Sequence, residues 1–209
     1  MRLKKILFIV LIILAVLLIN FLFIDDKIYY LNLNTIDSND YSIYYKEYLE
    51  KNHNLEYYNN YYNVKDYRIT DLIRMIKDNK EITIDGKKQK IENAIIKADI
   101  ITIWVGMNEI KYKIDTTDIE ELYKYSDTIL TDLEELFLLL RKISKEKIIF
   151  MNFYNPGNEQ YDEVIKYLNT KMNAIAIEYK IDILDVNHII NKKISKLNYQ
   201  EIGSMLEEI

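Results

Sequence analysis

Apolar positions recur along this chain at two spacings, and the switches between them divide it into strands and helices. Ile28 to Asn34 alternates as a strand does, and the polar run 34–40 follows it as a loop. Tyr41 to Lys51 takes helical spacing, with Ile43, Tyr44, Tyr48 and Leu49 on one side. Leu55 to Val64 returns to aromatic and β-branched residues and predicts a second strand. Within it, the run Tyr57 to Asn63 is better read as strand and loop in a Tyr- and Asn-rich chain than as an aromatic sugar platform. Thr70 and Asp71 open a helix that buries Leu72, Ile73 and Ile76 and closes at Asn79. Asp85-Gly86 marks a turn, and residues 88–98 form a helix with Ile91, Ala94, Ile95 and Ala98 inward.

The next stretch organises the rest. Ala98 to Val105 is rich in β-branched and aromatic residues and stops at Gly106, with the amide of Asn108 two positions later. That is the pattern of a buried strand delivering a polar group to its carboxyl end, where open α/β sheets bind ligands. A loop is expected after Asn108, then a long helix from Thr117 to Ser144 carrying Ile119, Leu122, Ser126, Ile129, Leu133, Leu136, Phe137 and Leu140 inward. Lys147 to Asn152 is a fourth strand, broken at Asn155-Pro156-Gly157, and a helix follows with Tyr161, Val164, Ile165, Leu168, Met172, Ile175 and Tyr179. Ile181 to Val186 is a fifth strand, followed by an irregular stretch to Leu197 and a helix from Tyr199. Strands separated by helices predict an α/β fold: a three-layer α/β/α sandwich on a five-stranded, mostly parallel, flavodoxin-like sheet.

The amino-terminal segment obeys a different rule. Ile6 to Ile24 is apolar except for Asn20, preceded by Arg2, Lys4 and Lys5 and followed by Asp25 and Asp26. At ~1.5 Å per residue such a helix spans roughly the 30 Å hydrocarbon core. A cleaved signal would have a shorter apolar region ending in a small-x-small site, whereas Ala15 stands mid-run. Residues 1–27 are therefore expected to be a cytoplasmic basic tip and transmembrane signal-anchor, and 28–209 one extracytoplasmic domain at the cell membrane. The net charge is −5, and the acidic excess lies beyond the basic tip. This leaves no electrostatic footprint for nucleic acid. With Cys 0 the domain has no disulfides, no thiol nucleophile and no cysteine metal site. Neither a P-loop nor a Gly-x-Gly-x-x-Gly run is present, and the two histidines, His53 and His188, lack zinc-site spacing, so no cofactor or metal is expected.

The order of these pieces, and several of their words, resemble the SGNH or GDSL hydrolase family. Ala98 to Glu109 is similar to its third block, an apolar strand followed by Gly-x-Asn-Asp, and Lys147 to Pro156 to its following strand and Asn-Pro turn. The likeness covers nearly all of residues 28–209. In that family a serine after the first strand attacks an ester carbonyl, with a histidine base oriented by an aspartate. The serine amide, a second-block glycine amide and the third-block asparagine donate to the oxyanion. The resemblance thus implies Asn108 as an oxyanion donor. The other matches depart from the family pattern. Asn34-Thr35-Ile36 lies where Gly-Asp-Ser is expected, and a shift of two places makes Asp37-Ser38 the remnant. Asp66 stands at the second-block glycine, where an anion opposes oxyanion stabilisation. Counting back from Ile209, the family's Asp-x-x-His falls on Lys193 and Lys196. Asp185-Val186-Asn187-His188 has that spacing, but directly after the fifth strand. His53 reads as a solvated helix end. The expectation is a binding or scaffold pseudoenzyme with a degenerate triad, held in the membrane by its helix. The alternative is an active esterase on acyl or acetyl esters of lipid or cell-surface glycan, with Ser38 as nucleophile, His188 as base and Asp185 orienting it.

Overall fold

The computed structural model describes residues 27–35, 40–114, 118–155, 157, 161–190 and 196–209. In chain order these form β1 (Ile28–Asn34), α1 (Asp40–Asn52), β2 (Leu55–Asn59), α2 (Ile69–Lys77), β3 (Glu81–Ile84), β4 (Lys87–Lys90), α3 (Ile91–Lys97) and β5 (Ile100–Trp104), then α4 (Met107–Ile114), α5 (Ile119–Ile143), β6 (Lys147–Met151), α6 (Asp162–Glu178), β7 (Asp182–Leu184) and α7 (Lys196–Met205). The main sheet has five strands in the order β2-β1-β5-β6-β7, and every neighbouring pair is parallel. This is the expected flavodoxin-like order. The apolar segment Ile6 to Ile24 lies outside the described residues. Among those described, no helix is long and apolar enough to cross a membrane.

Helices cover both faces. On one side α1 packs against α7; on the other α5 packs with α2, α3 and α6. Ile101, Ile103, Ile148, Ile149 and Phe150 are buried in the sheet, and Leu133, Leu136, Phe137 and Leu140 of α5 close over them. The face under α1 is unusual in being polar. Asn32, wholly buried in β1, accepts at Oδ1 from the Tyr41 hydroxyl (2.5 Å) and the Thr102 hydroxyl (3.0 Å), and its Nδ2 donates to Ser42 Oγ (3.2 Å). Tyr30 and Tyr58 extend the network through Thr102 and Ser42. Burial pushes the Tyr30 and Tyr41 hydroxyls far up, so both stay protonated. A buried strand tolerates an asparagine here because each of its polar atoms finds a partner.

The structure differs from the sequence reading in several places, each with a physical reason. α1 buries Tyr41, Ser42, Tyr45 and Leu49, and Ile43 is exposed. A buried serine and tyrosine hydroxyl disguised the phase of the inward stripe. Ile119, expected in the core of α5, is also exposed, because it sits in the first turn at the helix end. β2 stops at Asn59, whose Oδ1 accepts from the Tyr61 amide (3.1 Å) and turns the chain out of the sheet. Residues 87–90 pair with 81–84 as a hairpin instead of opening a helix. Asp85 and Gly86 both have positive φ, 49° and 75°, the primed turn that matches strand twist. Finally, α4 occupies the segment expected as a loop after Asn108, because Met107 and Ile110, three apart, are both buried.

The contact of α1 with α7 depends on one glycine. A Cβ at Gly203 would lie 2.6 Å from Tyr44 Cβ and 3.2 Å from the Tyr41 carbonyl oxygen, neither of which can swing away. Gly203→Ala is expected to destabilise the domain by about 1–3 kcal/mol through overpacking. Chemical denaturation of the full chain checks this: a clear fall in the unfolding midpoint is expected, and an unchanged midpoint would show that the helices do not dock this tightly.

Candidate functional site

The site forms at the carboxyl ends of β1, β5, β6 and β7. At the end of β1, the Thr35 amide donates to the Trp104 carbonyl (3.1 Å) and extends the ladder by one residue. The Thr35 carbonyl oxygen then receives two donors from elsewhere: the Asp66 amide at 3.1 Å and Asn108 Nδ2 at 3.2 Å. Asn108 Nδ2 also donates to the Tyr67 carbonyl at 2.9 Å. A side-chain amide has two hydrogens, so Asn108 spends its donor capacity tying the end of β1 to the loop before α2.

Two backbone features make this convergence possible. Asp66 has φ 64°, the left-handed region that glycine occupies freely and aspartate tolerates better than most residues. The expected second-block glycine is thus explained by its backbone conformation. Gly106 has φ 103°, and a Cβ there would lie 2.6 Å from Phe153 Cε1, so the turn into α4 is closed to any side chain.

Glu109 follows Asn108 in the first turn of α4 and is buried. Its Oε1 accepts from the Ile69 amide at 2.6 Å, which places a carboxylate at the amino terminus of α2. Its Oε2 is buried without a partner among the described residues. Burial raises the Glu109 pKa, opposed by the backbone hydrogen bonds from Ile69 and from its own amide and by the Arg68 charge.

The second group lies at the far side of the sheet. Asn152 closes β6, and its Oδ1 accepts from the Val186 amide (2.8 Å) while its Nδ2 donates to Asp185 Oδ1 (2.7 Å). Asp185 Oδ2 stands 3.6 Å from His188 Nδ1, too long for a hydrogen bond, and the two side chains are 59% and 57% exposed. Beside them runs an open polar groove of about 740 Å³ whose lining includes Asn152, Asn169, Thr170, Asn173, Asp185 and Asn187. β1 and β7 are separated by β5 and β6, so their ends lie three strand spacings apart, about 14 Å. His53 is exposed and packs its ring against Tyr48.

Of the sequence candidates, Asn108 is gathered with Thr35, Asp66 and Tyr67, and Asp185 with His188. Ser38 and Lys193 lie outside the described residues. The sequence reading missed Thr35 and Tyr67, which act through backbone carbonyls that no side-chain pattern reveals. It also missed Asn152, although an apolar strand ending in an amide is the same signal that marked Asn108.

No protein-family model matches the chain, and no curated protein matches it in sequence. Solved structures do. A lipase from a goat rumen metagenome superposes with a TM-score of 0.69 at 15% identity, covering 87% of this chain and 96% of its own. An acetylxylan esterase from Geobacillus stearothermophilus gives 0.62 at 14% identity, covering 88% of this chain and 93% of its own. A member of the lipolytic G-D-S-L family from Veillonella parvula gives 0.57 at 13% identity, covering 88% and 98%. The chain has the SGNH hydrolase fold.

Glu109 yields a test with a definite sign. Its folded pKa lies above the ordinary value near 4.5, so the folded state holds this proton more tightly than the unfolded chain. Stability is therefore expected to fall as pH rises from that ordinary value through the raised one, and to level off above it. Glu109→Gln keeps an acceptor for the Ile69 amide and removes the titration. Denaturation midpoints of both proteins across pH 4 to 8, about the range in which a raised carboxyl titrates, are expected to show a decline in the native protein that the variant lacks.

Proposed function

We propose that this protein is a membrane-anchored, extracytoplasmic SGNH-fold binding or scaffold module whose ester-cleaving machinery has degenerated. The observation that carries this reading is the use of Asn108: both amide hydrogens go to backbone carbonyls, of Thr35 and Tyr67. The Asp66 amide, at the second-block position, is likewise spent on Thr35. Groups that the family resemblance implies as oxyanion donors thus hold the chain together. Asp66 adds a carboxylate to the same corner, which disfavours a second negative charge there. The shared fold of a rumen lipase and an acetylxylan esterase supports acyl or acetyl esters of lipid or glycan as the ligand class.

One observation favours the second reading, an active esterase: Asp185 Oδ2 stands 3.6 Å from His188 Nδ1, and a carboxylate beside an imidazole is the pairing such a base uses. Ser38 is then the nucleophile. Assaying the full chain against p-nitrophenyl acetate, beside Ser38→Ala and His188→Ala, separates the two. No turnover that depends on these residues is expected; turnover abolished by both substitutions overturns the pseudoenzyme.

The anchor is tested on its own. The full chain is expected in the membrane fraction with Met1 or Arg2 still at its amino terminus by mass spectrometry. A mature chain starting near Asp25 overturns the anchor.

A further inference from the structure

A cavity of about 200 Å³ lies far from the site just described, between the β1–β2 edge of the sheet and α3 with its preceding hairpin. Its lining includes Tyr29, Leu31, Tyr57, Gln89, Ala94 and Lys97. Tyr29 precedes Thr35 by about 20 Å of strand, so the cavity stands toward the opposite end of the sheet from Asn108.

The space exists because two positions that face the sheet from α3 and its carboxyl end, Ala94 and Ala98, carry only methyl groups. Protein interiors normally close such gaps. Here the rings of Tyr29 and Tyr57, with centroids 6.4 Å apart and planes tilted by 50°, form one aromatic surface beside Leu31 and the two alanines. The polar groups are few. Asn59 Nδ2 donates to Gln89 Oε1 (3.2 Å), which leaves the Gln89 amide hydrogens without a partner among the described residues. The Tyr57 hydroxyl makes no hydrogen bond there either. Lys27 is already paired with Glu56 at 2.6 Å, whereas Lys97, exposed at the cavity, makes no ion pair among the described residues.

From this geometry we infer that the cavity is a binding site for a small aromatic carboxylate: one ring packed against the Tyr29–Tyr57 pair, its carboxylate toward Lys97 and the Gln89 amide. The volume selects a single ring, since a dry cavity of about 150 Å³ holds benzene. The Gln89 amide and Lys97 only donate, which selects an anion or acceptor, and an aromatic surface favours a flat partner at the 4.5–7 Å centroid spacings that rings adopt. A hexose is the natural competitor on aromatic walls. It brings about five hydroxyls to a floor of Leu31, Ala94 and Ala98, and each one left unpaired costs about 1–3 kcal/mol.

Calorimetric titration of the full chain in detergent, with protein-free micelles as blank, uses benzoate, its neutral isostere benzamide, and glucose as probes. Benzoate is expected to saturate below about 10 mM, in keeping with its handful of heavy atoms. It is expected to bind about three- to fivefold more tightly than benzamide at low salt, the strength of one exposed ion pair. Glucose is expected not to bind. Ala94→Leu fills the cavity and should weaken both aromatic probes more than about tenfold, while Lys97→Gln should bring benzoate down to benzamide and leave benzamide unchanged. Absence of saturable benzoate binding, glucose binding as tight as benzoate, or binding unaffected by Ala94→Leu overturns the inference. Lys97 is exposed, so its variant folds and decides the matter if Ala94→Leu does not: an unchanged benzoate to benzamide ratio in Lys97→Gln equally overturns it.

Discussion

One carbonyl oxygen ties the upper edge of this molecule together. Thr35, just past β1, accepts from the Asp66 amide and from the Asn108 side chain. Three segments remote in sequence meet on that atom: the end of the first strand, the loop before α2 and the turn after β5. Each needs its own permission. Asp66 must take a left-handed backbone, Gly106 must lack a side chain against Phe153, and Glu109 must hold the Ile69 amide so that Tyr67 presents its carbonyl to Asn108. Removing Glu109 or Asn108 takes a hydrogen bond from the Ile69 amide or the Tyr67 carbonyl, and a buried group left unpaired is the expensive event in such networks.

The same arrangement bears on chemistry. An oxyanion hole works because its donors are aimed, beforehand, at a place where charge will appear. Here the Asn108 and Asp66 donors are aimed at backbone carbonyls of the protein itself. Asp185, held by Asn152, and His188 sit on the far side, both open to water.

Much of this was legible in the residues. β5 announced itself by Ile100 to Trp104, and its carboxyl-end role by Gly106 and Asn108, because a fully buried parallel strand must be apolar and its exit must be tight. The five-stranded order followed from alternation of strand and helix. The phase of α1 was hidden because it buries Ser42 and the hydroxyl of Tyr41 against Asn32, and periodicity arguments count only apolar groups. α4 was hidden because Met107 and Ile110 are too few to form a pattern. Asp66 looked like a defect in the sequence. In the structure its backbone takes the left-handed conformation that glycine adopts freely, and its amide donates to Thr35. The Thr35 and Tyr67 contributions are main-chain, and residue identity carries no trace of them.

The place of β1 in the sheet has a consequence for biosynthesis. It is the first strand to be made, yet it lies between β2 and β5, and its Tyr30 pairs with Ile100. Until the ribosome has delivered about seventy further residues, one edge of β1 and the Asn32 and Tyr30 side chains have no Thr102 to meet. Non-local pairing of this kind folds slowly and leaves strand edges open to misassembly. The nascent chain therefore passes through a long interval in which an interior strand of its sheet is a sticky edge.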